Sequence, residues 1–327
     1  MTAKRISTGV ALLLVAMVCA AAPRPAALQS AAGEIVPAVG ESVPVGYQIL
    51  KAGSGSFIIF YPPQFAKMAR ETAILLEKSS GEIASELGLE SIAPIKVIIA
   101  SDRKTFEVLH GGAIPAWGLA FADVKSQVLG INVDLVVRNP RQFSPVVRHE
   151  LSHLLLAQRI GGVRVPTWFT EGLAMMQSGE WGISDEWRFM TTAGGRDLPY
   201  LEELAGPFPR SAEGAALSYG MSYFAVRKLL GDRPESLMTL TAFIRDTGDF
   251  ESGFESTYGQ TVYDFAGKLY VAIDRRYKTA GAILNASPYW TGAALLFVAV
   301  YLVKRARSRR RLERWEEEEA GERRIWY

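Results

Sequence analysis

Apolar residues form short runs in the first half of the chain and follow a helical period in the second. Runs rich in β-branched and aromatic residues begin at Phe57 (FIIFYPP) and Ile95 (IKVIIAS), and each predicts a strand. GLAFAD and QVLGINVDLVV are further strand candidates, and residues 64–91 have helical spacing. From Ser144 onward the pattern is mostly helical. Strands followed by helices predict an α+β domain over residues 55–280, with a small mixed sheet preceding the helices.

An apolar run from Val10 to Ala22 lies before this domain. Lys4 and Arg5 precede it, and small residues and prolines follow it. The run is too short to span a bilayer comfortably, so the pattern predicts a secretory signal peptide over residues 1–30, with residues 31–54 as a linker. An uncleaved signal anchor is the alternative.

A second apolar run, Ala286 to Val303, contains no charged residue in 18 positions and is followed by seven Lys or Arg between Lys304 and Arg314. It predicts a transmembrane helix over 286–303 in contact with membrane lipid, and the basic residues place the tail, 304–327, in the cytoplasm. The predicted domain then lies outside the cytoplasm, anchored in the inner or plasma membrane. A buried or amphipathic terminal helix is the alternative.

Net charge and cysteine content narrow the possible functions. The chain carries +2; removing Lys4, Arg5 and the tail's excess of three positive charges leaves −3 for residues 6–303. A domain with this charge is not built to bind nucleic acid. Cys19 is the single cysteine, so no disulfide forms within the chain.

The segment SPVVRHELSHLLLAQ carries two of the three histidines, four positions apart. Ser144 and Pro145 predict a helix start, and Gly161 a helix end. Residues four apart share one helix face, so His149 and His153 could bind one ion. Glu150 is turned about 100° away, where it would flank the ion as a general base. The alternative is a chance pattern on a core helix.

A zinc site with two histidines needs a third protein ligand and leaves one position for water. The best candidate is Glu171 in VPTWFTEGLAMM, 18 residues after His153. Thr167 after Pro166 predicts the start of a second helix that presents Glu171 about one turn in, and Gly172 would allow close approach to the first helix.

HELSHLLL followed by VPTWFTEGLA resembles the peptidase MA-like family of gluzincin zinc metallopeptidases. The similarity extends over roughly residues 55–278. It implies a zincin-like fold in which His149, His153 and Glu171 bind Zn²⁺ and Glu150 is the general base. Gluzincins often place an acidic residue four positions after the ligand glutamate to orient a zinc-binding histidine, but here that position is Met175. The acceptor must then come from elsewhere.

These features predict a membrane-anchored zinc metallopeptidase that acts on a peptide or protein substrate. The family commonly uses a tyrosine or histidine of a later helix to stabilise the oxyanion, and Tyr219 is the preferred candidate; a core role is the alternative. Gluzincins also bind peptides along an edge strand, for which SQVLGINVDLV is the natural choice. The competing class is a non-catalytic, membrane-tethered binding or scaffold domain that the same zinc ligands stabilise.

Overall fold

The strands and helices follow the predicted order from sheet to helices. The computed structural model describes residues 44–111, 118–194, 196–209, 211–231, 233–279, 290 and 292–308. The predicted signal peptide lies outside the described residues, as do positions 286–289 and 291 of the predicted span and residues 309–327 of the tail. The strands are β1 (Gln48–Ala52), β2 (Phe57–Tyr61), β3 (Ile95–Ala100), β4 (Ala120–Asp123) and β5 (Val128–Asn132).

Helices dominate the described chain, and with the five-stranded sheet they confirm the α+β class. They are α1 (Ala66–Leu87), α2 (Arg103–His110), α3 (Val133–Arg138), α4 (Pro140–Ile160), α5 (Thr167–Ser178), α6 (Ile183–Ala193), α7 (Ala212–Gly231), α8 (Ser236–Thr247), α9 (Phe250–Tyr258) and α10 (Val262–Ile273).

The sheet has the order β1-β2-β3-β5-β4. β2, β3 and β5 are parallel, and β1 and β4 run antiparallel to their neighbours at the two edges, so the sheet is mixed. β5 lies between β3 and β4, and every residue of that strand is buried, so both of its faces are covered. β1 lies within the segment expected to be a linker, so the sheet begins earlier than predicted.

One face of the sheet packs on α2. Phe106 and Leu109 of α2 contact Ile98, Phe121 and Val128 of the strands. Gly130 of β5 faces the Phe121 ring of β4, and a Cβ at this position would overlap the ring. A glycine therefore lies in a buried strand because an aromatic ring of the next strand occupies the space.

Two predicted boundaries are wrong. The strand predicted over QVLGINVDLVV ends at Asn132, because Val133 and Val136 are buried three positions apart in helix α3. The helix predicted to start at Ser144 begins at Pro140, so Pro145 lies inside α4. A proline so near the helix start removes one backbone hydrogen bond and leaves the rest of the helix intact.

The described residues form two compact units. Residues 44–189 and 198–272 belong to the first, which contains the sheet. Residues 190–194, 196–197, 273–279, 290 and 292–308 belong to the second, in which 292–308 are helical with exposed side chains. Among the residues that the structure describes, no helix has both the length and the apolar character needed to cross a membrane.

Candidate metal centre

Helix α4 carries three of the predicted site residues into the interior. His149 is fully buried, and Glu150 and His153 are 4% and 9% exposed. The two imidazole rings lie 4.8 Å apart, centre to centre, as expected for one helix face. The helix ends where predicted, because Gly161 is its C-cap residue and adopts the left-handed conformation with φ 67°.

Helix α5 brings Glu171 to the two histidines. Its Oε2 atom lies 3.4 Å from His149 Nε2 and its Oε1 atom 3.7 Å from His153 Nε2. One donor atom from each of the three residues lies within 4.8 Å of the other two. The structure therefore brings together all three predicted ligands, although Glu171 is 18 residues after His153 and lies on a different helix.

The predicted reasons for the placement of α5 need correction. Thr167 is the first residue of the helix and does not cap it; its hydroxyl donates to the Ala205 carbonyl at 3.3 Å. Gly172 allows close approach to α7 instead of α4, because a Cβ there would overlap the Ser222 backbone carbonyl. Glycine is thus needed where two helix backbones meet behind the ligand.

The donor set fits a zinc ion. His149 Nε2 and His153 Nε2 are buried and make no hydrogen bond with any described residue. Buried polar atoms without a partner are uncommon in native proteins, because each costs desolvation free energy. A cation between the two nitrogens and the Glu171 carboxylate would satisfy them, and two imidazoles with one carboxylate form a usual catalytic zinc set.

The two histidines have opposite pKa shifts without a cation. Burial lowers the pKa of His149, but the carboxylates of Glu180 and Glu171 outweigh burial, so the pKa lies well above its ordinary value. Burial lowers the pKa of His153 to about 4, and the Glu171 carboxylate offsets this only in part. Cation binding requires neutral imidazoles, so at neutral pH it would release a proton from His149 but none from His153.

Glu150 is a buried carboxyl group that is not part of the ligand set. Burial raises its pKa to about 7, and the charges of Glu171 and Glu180 add to the increase. His149 and a hydrogen bond from the backbone N–H of Ala122 lower the pKa in part. A carboxyl group with a pKa near neutrality is suited to accept and return a proton.

The contact with Ala122 identifies the strand that borders the site. Ala122 belongs to β4, which pairs with β5 on one side and forms the edge of the sheet on the other. The prediction that SQVLGINVDLV provides the edge strand is therefore wrong, because its strand residues, Val128–Asn132, are paired on both sides. Order along the chain does not give order in the sheet, and within the described part of the chain the preceding segment GLAFAD forms this edge.

Glu180 was missed by the sequence reasoning. It lies beyond the end of α5, and its Oε1 atom is 2.8 Å from His149 Nδ1. It is nine positions after Glu171, so no helical spacing connects the two. The local pattern contains no signal for the contact except the absence of an acidic residue at Met175.

Tyr219 lies on α7 in an apolar cluster with Met175 and Ala215. Its ring is 5.1 Å from that of Phe208, in an edge-to-face arrangement, and the residue is 8% exposed. Met175 is one helical turn beyond Glu171, which places this cluster next to the ligand helix. Its predicted role in stabilising an oxyanion stays a prediction.

Comparison with known protein families identifies the class. Residues 81–271, more than half of the chain, match the sequence model of the peptidase MA superfamily. The chain therefore belongs to the peptidase MA superfamily, and the family predicted from its two motifs is confirmed. Membership makes it a peptidase-like hydrolase with a peptide or protein as the implied substrate. No curated protein matches the chain.

Proposed function

We propose that this protein is a membrane-anchored zinc metallopeptidase that hydrolyses peptide bonds with water, using Glu150 as the general base. One observation carries the proposal: three buried ligand groups lie within 4.8 Å of one another, beside a buried carboxyl group that is not one of them. A purely structural zinc site has no need of such a fourth group.

His149, His153 and Glu171 would hold the ion, leaving one position open. Zinc at such a site lowers the pKa of water and polarises a carbonyl oxygen. The chain contributes the shape and dryness of the site, since all three ligands are at most 9% exposed. In a buried site of this kind, charge interactions are stronger than in water.

Glu150 would move the proton. As a carboxylate it takes a proton from the attacking water, and as a carboxylic acid it gives this proton to the leaving amine. Its burial favours the neutral acid, which is the form that must deliver the proton. The backbone N–H of Ala122 in β4 lowers the pKa of Glu150 slightly, which places this carboxyl group beside the edge strand.

We place the substrate backbone along β4. An extended peptide can add a strand at a free sheet edge through main-chain hydrogen bonds. Among the described residues no strand pairs with the outer edge of β4, and the backbone of Ala122 in the same strand lowers the pKa of Glu150. A peptide bound there would have its backbone next to Glu150, which is the alignment that hydrolysis requires.

We also propose that the chain is anchored through residues 286–303, with a cleaved signal peptide, the enzymatic domain outside the cytoplasm and the tail inside. The proposal is supported by the charge-free run of 18 residues and by the basic residues that follow it. The apolar side chains among residues 292–303 are exposed to solvent. Contact with lipid would remove this apolar surface from water.

The test is Glu150→Gln in the full chain. The amide keeps the shape of the side chain but cannot take a proton, so zinc should remain bound while cleavage of a peptide library falls by about 10²–10⁴-fold. Glu82→Gln is the matched control: Glu82 also bonds a residue of α4, Arg148 at 2.7 Å, but lies outside the site.

Full activity in Glu150→Gln would refute the assignment of the base. Stoichiometric zinc in a wild type that cleaves no peptide would instead favour the non-catalytic scaffold.

A further inference from the structure

We propose that Glu180 is the residue that positions His149 for metal binding, in place of the acidic residue that is missing at Met175. The inference rests on the proposed zinc site and adds a residue that the two sequence motifs do not contain. It assigns the missing acceptor to the turn after α5 instead of to the helix itself.

The His149 imidazole has a carboxylate near each of its two nitrogens. These nitrogens flank the Cε1 atom and point in different directions in the ring plane, so they face different carboxylates. Nδ1 lies 2.8 Å from Glu180 Oε1, while Nε2 lies 3.4 Å from Glu171 Oε2. A carboxylate can only accept, so Nδ1 carries the proton in this hydrogen bond. With the proton fixed on Nδ1, the Nε2 lone pair of the neutral ring is directed at the ligand set.

The turn after α5 directs Glu180 towards His149. Helix α5 ends at Ser178, and Gly179 adopts the left-handed conformation with φ 69°, which turns the chain back towards α4. The Glu180 N–H donates to Ser178 Oγ at 3.4 Å. The next residue, Trp181, stacks on the Tyr223 ring of α7, 4.6 Å between ring centres and 14° from parallel. Backbone and neighbouring ring thus hold the turn in place.

The hydrogen bond between Glu180 and His149 is largely shielded from water. The Glu180 side chain is 12% exposed and His149 is fully buried, so water competes little for this hydrogen bond. Met175 occupies the position four residues after Glu171 and packs against Ala215 and Tyr219. The methionine sulfur is only a weak hydrogen-bond acceptor and cannot replace a carboxylate there. Among the described residues, Glu180 is the acceptor that the structure gives to His149 Nδ1.

The test compares zinc affinity, measured by competition with a chelator, in full-length wild type, Glu180→Gln and Glu180→Ala. Loss of a residue that orients a metal-binding histidine typically weakens metal binding about 10–100-fold, which we expect for Glu180→Ala. Glu180→Gln should weaken it less, because the amide oxygen can still accept from Nδ1–H. Glu82→Gln, which removes a carboxylate bound to the neighbouring Arg148, should leave zinc affinity unchanged.

A spectroscopic measurement separates orientation from general stability. In the zinc-loaded wild type, the His149 Nδ1 proton should give a slowly exchanging NMR signal, because it is buried and hydrogen-bonded. The signal should persist in Glu82→Gln and exchange rapidly in Glu180→Ala. The graded order of zinc affinity together with this loss would support the proposal.

Two failures are distinguishable. A wild type that binds no zinc would overturn the proposed function and this inference with it. A wild type that binds zinc stoichiometrically, beside a Glu180→Ala variant of equal affinity and the same Nδ1 signal, would overturn the role of Glu180 alone.

Discussion

Two sets of polar residues on helix α4 differ in how their hydrogen bonds are satisfied. On the site side, the Nε2 atoms of His149 and His153 make no hydrogen bond with any described residue. On the other side, Arg148 donates twice to the Gln177 carbonyl, at 3.2 and 2.9 Å, and the Ser152 hydroxyl donates to the Gln177 side chain at 2.6 Å. The same helix therefore carries buried nitrogens without hydrogen bonds and, a few residues away, polar side chains whose hydrogen bonds are made.

The satisfied side continues into α1. Gln177 donates to Glu86 at 2.9 Å, and Arg148 donates to Ser79 and Glu82 at 3.2 and 2.7 Å. These bonds join α1, α4 and α5. A buried polar cluster whose hydrogen bonds are complete supports the fold. A neighbouring buried cluster whose nitrogens lack hydrogen bonds indicates a site that a ligand completes.

The largest expected effect comes from removing a proposed ligand on the open side. Glu171→Ala should weaken zinc binding by more than about 100-fold, because loss of a ligand should exceed the loss of a residue that only supports one. Chelator competition measures the affinity, and circular dichroism confirms that the variant folds. Tight zinc binding by a folded Glu171→Ala variant would contradict the assignment of Glu171 as a ligand, and with it the distinction between the site side and the hydrogen-bonded side of α4.

The second prediction concerns pH in the protein without zinc. The pKa of Glu150 is raised to about 7 and that of His153 is lowered to about 4. Between pH 4.5 and 6.5 these two shifts change the free energy of unfolding in opposite directions, because the folded protein holds an extra proton on Glu150 and lacks one on His153. Above pH 6.5 the folded protein holds extra protons on His149 and Glu150, so its stability falls as pH rises. We therefore expect the free energy of unfolding to decrease between pH 6.5 and 8.

Urea denaturation in the presence of a chelator measures this slope. His149→Gln removes one of the two groups and should flatten it. A free energy of unfolding that rises with pH in the wild type over this range would show that the folded protein does not hold extra protons on His149 and Glu150.

The smallest expected effect lies on the satisfied side. Gln177→Leu leaves the Ser152 hydroxyl buried without its acceptor, which should lower the free energy of unfolding by about 1–2 kcal/mol while zinc content stays the same. Gln158→Leu is the control, because its amide bonds to Ala93 are exposed and should cost less. A loss of zinc in Gln177→Leu without a change in stability would show that the two sides do not have separate roles.

The sequence contained the ligand set because each part of it is local. His149, Glu150 and His153 lie within one helical turn and a half, and Glu171 lies in its own recognisable motif. Their convergence required only that two consecutive helices pack together. Glu180 could not be predicted, because its contact depends on a left-handed turn at Gly179 that directs the chain back to α4.

The sheet shows the same limit. Strands β2 and β3 were predicted from their composition, since β-branched and aromatic residues favour strands. Their order in the sheet was not, and the edge was assigned to β5 instead of β4. Which strand forms the edge depends on pairings across the chain, and the burial of β5 on both faces is a property of the whole fold.

The central claim is that two imidazoles and one carboxylate bind a single zinc ion. The most direct measurement is the zinc content of the purified full chain together with its zinc X-ray absorption spectrum. The account predicts one zinc per chain, with two imidazole nitrogens and a carboxylate oxygen among its ligands. A chain that purifies without zinc and takes up none on addition, or a spectrum that lacks imidazole, would contradict it.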